Sequence, residues 1–311
     1  MTYAHKTSST KILVVGGDGL IGKSLVEHFK SHKVLVQYTS RRPHTGTSDY
    51  ITLELNKPAA LNISAEVAII CAGITDTNKC QQEPAKTRSV NVDATLQLAS
   101  QLYADGAFIV FLSSSQALDS NIHSSASRSS QPTKTQYGRQ KLDAEQGILA
   151  LGKRASVVRA TKVISCKSMM IAKWLTCLTS RQQINPLSDF VFCPISLQFM
   201  VTSLGTLAMH RPPGLFNLAG ASALSYVDFV HLLAAAMGVD NSLIASKNAL
   251  ELNIPFFYPR TLSCLDMAAT TATLGVTPQL VSTVIKDLLD EYLAESSAAN
   301  HHYAPSSNHH S

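Results

Sequence analysis

No C-x-x-C pair and no histidine at zinc-finger spacing occurs among the six cysteines, Cys71, Cys80, Cys166, Cys177, Cys193 and Cys264. That pattern excludes a structural zinc module and predicts six reduced, mostly buried thiols; no metal site is expected. No basic stripe interleaved with aromatics is present either. The 26 basic and 21 acidic residues are scattered over 311 positions, which argues against a nucleic-acid partner. No apolar run approaches the length of a bilayer span, and the opening MTYAHKTSST has no apolar h-region, so no membrane association is expected and the expected compartment is the cytoplasm. Charged residues make up only 15% and hydrophobic ones 45%, a balance that points away from disorder and toward a globular fold with a sizeable core. The net charge of +5 suits an anionic small ligand and equally suits a solvated surface of mixed sign.

What is present is an alternation of two periods. Short β-branched runs at 11–16, 34–38, 50–55, 67–71, 107–112 and 155–159 read as buried strands, and helical patterns at 20–29, 91–103 and 137–151 separate several of them. Strands alternating with helices predict an α/β fold built on a doubly wound parallel sheet. Beyond residue 165 the alternation dilutes into helical patterns at 225–237 and 280–293 around a short strand at 215–218, which predicts a smaller lobe. Residues 119–135 (DSNIHSSASRSSQPTKT) read as a mobile loop over the site, and ESSAANHHYAPSSNHHS at the end carries no apolar period.

Gly16, Gly19 and Gly22 follow the first strand and open the first helix. At that place glycines permit a tight turn, the approach of backbone to a pyrophosphate and close packing of helix on sheet, with Leu20 and Ile21 beside the phosphates at the helix start. The second strand ends Tyr38-Thr39-Ser40-Arg41-Arg42, where an NAD-preferring site would carry a carboxylate. Ser40, Arg41 and Arg42 could instead hold a 2′-phosphate by charge-assisted hydrogen bonds, so NADP(H) is the expected cofactor with NAD(H) as the alternative. Tyr137 and Lys141 stand four apart and share one helix face, an acid/base phenol beside an ammonium that would lower its pKa. Ser113, Ser114 and Ser115 end the strand at 107–112, and one of them could hydrogen-bond a substrate carbonyl.

Taken in order, KILVVGGDGLIG, TSRR, AIICAGIT, VNVDATLQLA, SSSQALDS, YGRQKLDAE, VVRATKVI and PRTLSCLDMAATTATLGVTP resemble the extended short-chain dehydrogenase/reductases, most closely the dTDP-4-dehydrorhamnose reductases and their sugar-nucleotide-binding relatives. The resemblance spans nearly the whole chain. It implies a Rossmann-type domain over 11–165 with a segment returning near 185–220. It further implies a substrate-binding lobe from 166–184 and 221–295, between a flexible 1–10 and a disordered 296–311. It implies Tyr137 as proton donor, Lys141 as its tuner and ribose ligand, Ser114 as carbonyl ligand with Ser115 as the alternative, and Ala72 and Gly73 along the cofactor. Asn91 would open a helix in a supporting structural role. Lys162 and Arg260 are candidate ligands for the substrate's phosphates. The acidic pair that dehydratases carry after the hydroxyl residue is replaced by Ser115 and Gln116, and the Tyr-Gly common in epimerases after the serine turn is Asp119-Ser120. The expected activity is therefore reduction of a keto group on a nucleotide-linked deoxysugar. An epimerase and a non-catalytic NADP-binding subunit are the rivals, and a homodimer is compatible with the pattern.

Overall fold

The computed structural model describes residues 10–43, 48–57, 63–118, 133, 135–251 and 264–301. In chain order these form β1 (Lys11–Val15), α1 (Leu20–Ser31), β2 (Leu35–Ser40), β3 (Tyr50–Thr52), β4 (Val67–Ile70), α2 (Thr77–Gln82), α3 (Pro84–Arg88), α4 (Thr95–Ala104), β5 (Phe108–Ser114) and α5 (Gln136–Ala150). They continue as β6 (Ala155–Ala160), β7 (Lys162–Ile164), α6 (Met169–Thr179), β8 (Val191–Phe192), β9 (Pro194–Ser196), α7 (Leu197–His210), β10 (Gly214–Leu218), β11 (Leu224–Ser225), α8 (Tyr226–Ala236), α9 (Ala268–Leu274) and α10 (Val281–His301).

Seven strands form one parallel sheet in the order β10-β6-β5-β4-β1-β2-β3. β4 and β6 are wholly buried and β5 nearly so, which explains their continuous apolar runs: both faces are covered by helices and no polar alternation is needed. One core lies beneath α1 and α7, around Phe29, Met200, Leu204 and Phe216; the other lies beneath α4 and α5, around Leu98, Ile109, Phe111 and Ile148. Each such side chain, fully buried, contributes roughly 1.5–3 kcal/mol. β1 stands between β2 and β4, so chain order reverses there and a crevice opens beyond the strands' C-terminal ends.

A third core gathers Ile171, Trp174, Phe192, Phe229, Leu233 and Leu288 from α6, β8, α8 and α10. Its aromatic rings meet edge to face, with Phe192 and Tyr226 centroids 4.7 Å apart. β10 is the strand expected at 215–218, and it returns to the edge of the main sheet beside β6.

Two sequence expectations are corrected here. The six thiols are not all free: Cys193, between β8 and β9, is disulfide-bonded to Cys264, their Cα atoms 5.2 Å apart across 71 residues of sequence. The fold makes this pairing by running residues 264–267 beside β10, where Asn217 Nδ2 donates to the Asp266 carbonyl at 2.7 Å. Cys71, Cys80, Cys166 and Cys177 are free. The tail expected to be disordered from 296 is helical to His301, because α10 continues past its last apolar contact. Residues 1–9, residues 119–132 of the serine-rich stretch, Arg260, and the tail from 302 with its clustered histidines lie outside the described residues. No helix among those described is long and apolar enough to cross a membrane.

Candidate active site

The glycine turn is built for close approach. Gly16 has φ +89°, and a Cβ there would lie 2.9 Å from the backbone of Ala72, at the mouth of β4. At Gly22 a Cβ would lie 2.1 Å from the Gly16 carbonyl oxygen, so only glycine lets α1 start against the turn. Thr39 fastens the turn from β2: its Oγ1 accepts from Gly16 N at 3.1 Å and its carbonyl from Gly17 N at 2.8 Å. α1 begins after Gly19 with no side-chain cap, which leaves its first amides, at Leu20, Ile21 and Gly22, to meet an anion.

Beside this turn a cleft of 440 Å³ is lined by Gly17, Asp18, Lys23, Ser40 and Arg42 among others. Ser40 is buried and accepts from Arg42 N at 3.1 Å, while Arg41 and Arg42 are exposed at the end of β2. Arg42 Nε stands 4.0 Å from Asp18 with its side chain 87% exposed, so the guanidinium is scarcely engaged. Ala72 and Gly73 continue from β4 across the turn, Ala72 N donating to the Val15 carbonyl at 3.0 Å.

Tyr137, Lys141 and Ser114 come together on the other side of the crevice. α5 is capped by Thr135, whose Oγ1 accepts from Gly138 N at 3.1 Å, a contact worth about 1 kcal/mol. A Cβ at Gly138 would lie 2.1 Å from the Gln116 carbonyl, so glycine allows α5 to touch the turn that follows β5. This approach sets Tyr137 on the same side as Ser114, whose side chain favours the ionised phenol. Ser114 also accepts from Gln116 N at 3.2 Å, and Ser115 opens the short turn through Ala117. Lys141 is buried, donates to the Leu112 carbonyl at 2.8 Å and lies 6.0 Å from the Tyr137 ring centroid.

The electrostatics differ from the sequence expectation at Tyr137. Burial pushes its phenol well above the ordinary value, the Cys80 thiol adds to this, and the hydrogen bond with Ser114 pulls it back. Tyr137 is thus a neutral phenol at neutral pH, suited to giving a proton. Lys141 is lowered to about 8 by burial, opposed by Cys71, Glu145 and Cys80.

Asn91 joins the halves. It sits in a π-helical turn, Ser89–Ala94; Oδ1 accepts from Ile74 N at 2.7 Å, and Nδ2 donates to the Ile74 carbonyl at 3.0 Å and to Gln140 Oε1 at 2.9 Å. Gln140, one residue before Lys141, donates in turn to Thr87 Oγ1 at 2.9 Å. Sequence reasoning missed Gln140, Thr39 and the buried pair Glu145 and Arg159, and offered Ser113 only as one of three candidate carbonyl ligands, whereas its hydroxyl donates to Glu145. A charged residue inside the apolar run ASVVRA, and a carboxylate four residues beyond Lys141, were the available signals. The Gln116 amide oxygen is buried and has no hydrogen-bond partner. Lys162 is exposed at the start of β7 and hydrogen-bonds to none of these groups among the described residues.

A family described as RmlD substrate binding domain matches residues 10–294. The chain is 25% identical to a probable low-salt glycan biosynthesis reductase, Agl14, of Haloferax volcanii, over 84% of this chain and 91% of that protein. It is 26% identical to methionine adenosyltransferase 2 subunit beta of Xenopus laevis, over 75% of this chain and 74% of that one. A crystal structure of dTDP-4-dehydrorhamnose reductase from Bacillus anthracis in complex with NADP superposes with a TM-score of 0.78 at 14% identity, covering 92% of this chain and all of that one.

Proposed function

Because the chain belongs to the RmlD substrate binding domain family, we propose that it is an NADPH-dependent reductase of a keto group on a nucleotide-linked deoxysugar. The observation that carries this reading is the convergence of Ser114, Tyr137 and buried Lys141, whose Nζ lies 6.0 Å from the Tyr137 ring centroid, at the same end of the sheet as the uncapped glycine turn. A carbonyl and a dinucleotide could both reach that end. The residues fit the cofactor: Gly16 and Gly22 let the turn close against Ala72 and α1 so that the uncapped first amides of α1 can face a pyrophosphate, and Ser40, Arg41 and Arg42 beside an open cleft suit a 2′-phosphate with no carboxylate on β2 to repel it. The NADP in the Bacillus anthracis reductase points the same way.

NADPH, when bound, supplies the hydride that reduces the keto carbon. Ser114 donates to the carbonyl oxygen and polarises it; Tyr137, held neutral, transfers its proton to the oxygen as it becomes an alkoxide. The phenolate left behind faces the Lys141 ammonium, which stabilises it until a proton returns from solvent. Ser115 and the Gln116 amide flank the reacting position. Lys162 and Arg260 would meet the substrate's diphosphate by charge. Residues 166–184 and 221–295, whose third core also takes in Phe192 of β8, are the substrate-binding lobe, and residues 11–165 with the return near 185–220 form the nucleotide domain. A cytoplasmic protein, monomeric or paired as a homodimer, fits this role.

The test is a panel of dTDP-, UDP-, GDP- and CDP-linked 4-keto sugars with NADPH, followed by absorbance and by product mass. Stoichiometric loss of NADPH with a product two hydrogens heavier supports the reductase. Sugar isomerisation without net oxidation would mark an epimerase. The similarity to methionine adenosyltransferase 2 subunit beta favours a second reading, a binding subunit, which would take up NADPH without consuming it.

A further inference from the structure

The face of α5 that carries Tyr137 and Lys141 continues to a third buried group. Glu145 follows Lys141 by four residues, as Lys141 follows Tyr137, so the three lie along one stripe against the sheet. Glu145 is 1% exposed and Arg159, on β6, is 5% exposed. Both Glu145 oxygens accept from Arg159 Nε at 3.0 Å, and Oε2 also accepts from Nη2 at 2.5 Å. Ser113 Oγ on β5 donates to Oε1. Ser113 and Arg159 are register partners across β5 and β6, and the next rung pairs Ser114 with Ala160. One carboxylate therefore ties α5 to both strands immediately behind Ser114.

A buried ion pair is a poor device for stability alone. Both charges lose water, and apolar side chains of the same volume would join these elements at least as well. Charge at this place is explained by its neighbour. Lys141 is buried over the Phe111 ring, 4.6 Å from its centroid, and its hydrogen-bond acceptor is a main-chain carbonyl rather than a carboxylate. The titratable and charged groups around it are Tyr137 and Glu145 on its own helix, Cys71 beyond β4, Cys80 on α2, and Arg159 on β6 behind Glu145. Glu145 is the carboxylate in that set.

We propose that Glu145, held by Arg159 and Ser113, is a positioning residue for the reduction, fixing Tyr137 against Ser114 and keeping Lys141 an ammonium at neutral pH. The proposal rests on the roles given above to Ser114, Tyr137 and Lys141. Burial has already brought Lys141 down to about 8, so its charge stands little more than a unit from being lost in the neutral range. Removing the anion lowers that titration further, and the basic limb of activity moves to lower pH with it. Removing the arginine does the opposite, because Lys141 becomes the cation nearest to the carboxylate.

Lysine 13Cε NMR on the full apoprotein reads this directly, with Lys141→Met to assign the signal. Glu145→Gln is expected to lower the Lys141 titration by about a unit, and Arg159→Met to raise it by about as much. A purely structural clip would weaken both variants without moving the titration in opposite directions. Because truncating one member of a buried pair is strongly destabilising, Glu145→Gln with Arg159→Met in one chain, which removes both charges at similar volume, decides the matter if the single variants do not fold. There Lys141 is expected to titrate about half a unit below wild type, and kcat to fall about tenfold with KM for NADPH unchanged. A Lys141 titration equal to wild type in that variant overturns the proposal, whatever its stability. The NMR needs no substrate: failure of the wild type to reduce any 4-keto sugar would sink the reductase reading, while the titration would still decide what Glu145 does to Lys141.

Discussion

The nucleotide-facing half of the molecule and its C-terminal lobe both bury polar groups, but they leave them in different states. Where the lobe meets the returning segment the groups close on one another. Ser196 N donates to Gln279 Oε1 at 2.8 Å, Gln279 Nε2 donates to Ser196 Oγ at 2.9 Å and to Asp287 Oδ2 at 2.9 Å, and Ser196 Oγ donates to Asp287 at 2.6 Å. At the strand ends of the main sheet the groups have capacity to spare: the first amides of α1 lack a side-chain cap, Arg42 is barely engaged, and the buried Gln116 amide oxygen has no hydrogen-bond partner. The contrast separates polar groups that satisfy one another from polar groups left with hydrogen-bonding capacity.

The comparison is broken most severely at the glycine turn. Gly22→Val would drive a side chain into the Gly16 carbonyl, and we expect a stability loss of about 3 kcal/mol with NADPH binding abolished, read by urea unfolding and calorimetric titration. Gln279→Leu strands the partners of the lobe's closed cluster. It should cost roughly 1–3 kcal/mol in the same unfolding assay yet leave NADPH affinity within twofold. If NADPH binding fell in parallel, the two regions would not be separable in the way described. Replacing Arg41 and Arg42 together by Ala should weaken NADPH about tenfold or more, leave NADH unchanged and leave the melting temperature alone.

The smallest effect concerns the back of α1. Burial lowers His28 to about 4, with the His32 charge adding to the effect. The unfolded chain takes up this proton near 6.5 and the folded one only near 4, so the group withdraws stability as pH falls through that window. His28→Gln should flatten the acid limb of the stability profile between pH 6.5 and 4, with no change above pH 7.

The sequence carried the sheet well because its signals are local. Apolar runs such as VAII and FIVFL need no knowledge of the partner strand, and the glycine spacing reports the turn directly. Ser114, Tyr137 and Lys141 were legible because helix spacing and a strand end suffice to place them. The lobe was less so: α7 is apolar around much of its surface, so its period is faint, and β8, β9 and β11 are too short to carry one, although Ile171, Trp174, Leu175 and Leu178 of α6 do keep helical spacing and could have been read. The Cys193–Cys264 bond depends on a contact 71 residues away that spacing cannot show. The phenol's upward displacement was misjudged for a related reason, since desolvation depends on everything packed around Tyr137 and the sequence offered only the nearby lysine. Glu145 could have been seen, for a third charge on the Tyr137–Lys141 stripe and a lone arginine in a buried strand each need a partner.

The most direct test of the central claim is a single-turnover comparison of wild type with Tyr137→Phe, both saturated with NADPH and mixed with the 4-keto sugar nucleotide that the panel selects. Proton donation by Tyr137 predicts a slowing of about 10²–10⁴-fold in NADPH oxidation with cofactor affinity preserved. Equal rates in the two proteins, or no oxidation by the wild type with any member of the panel, would contradict the account.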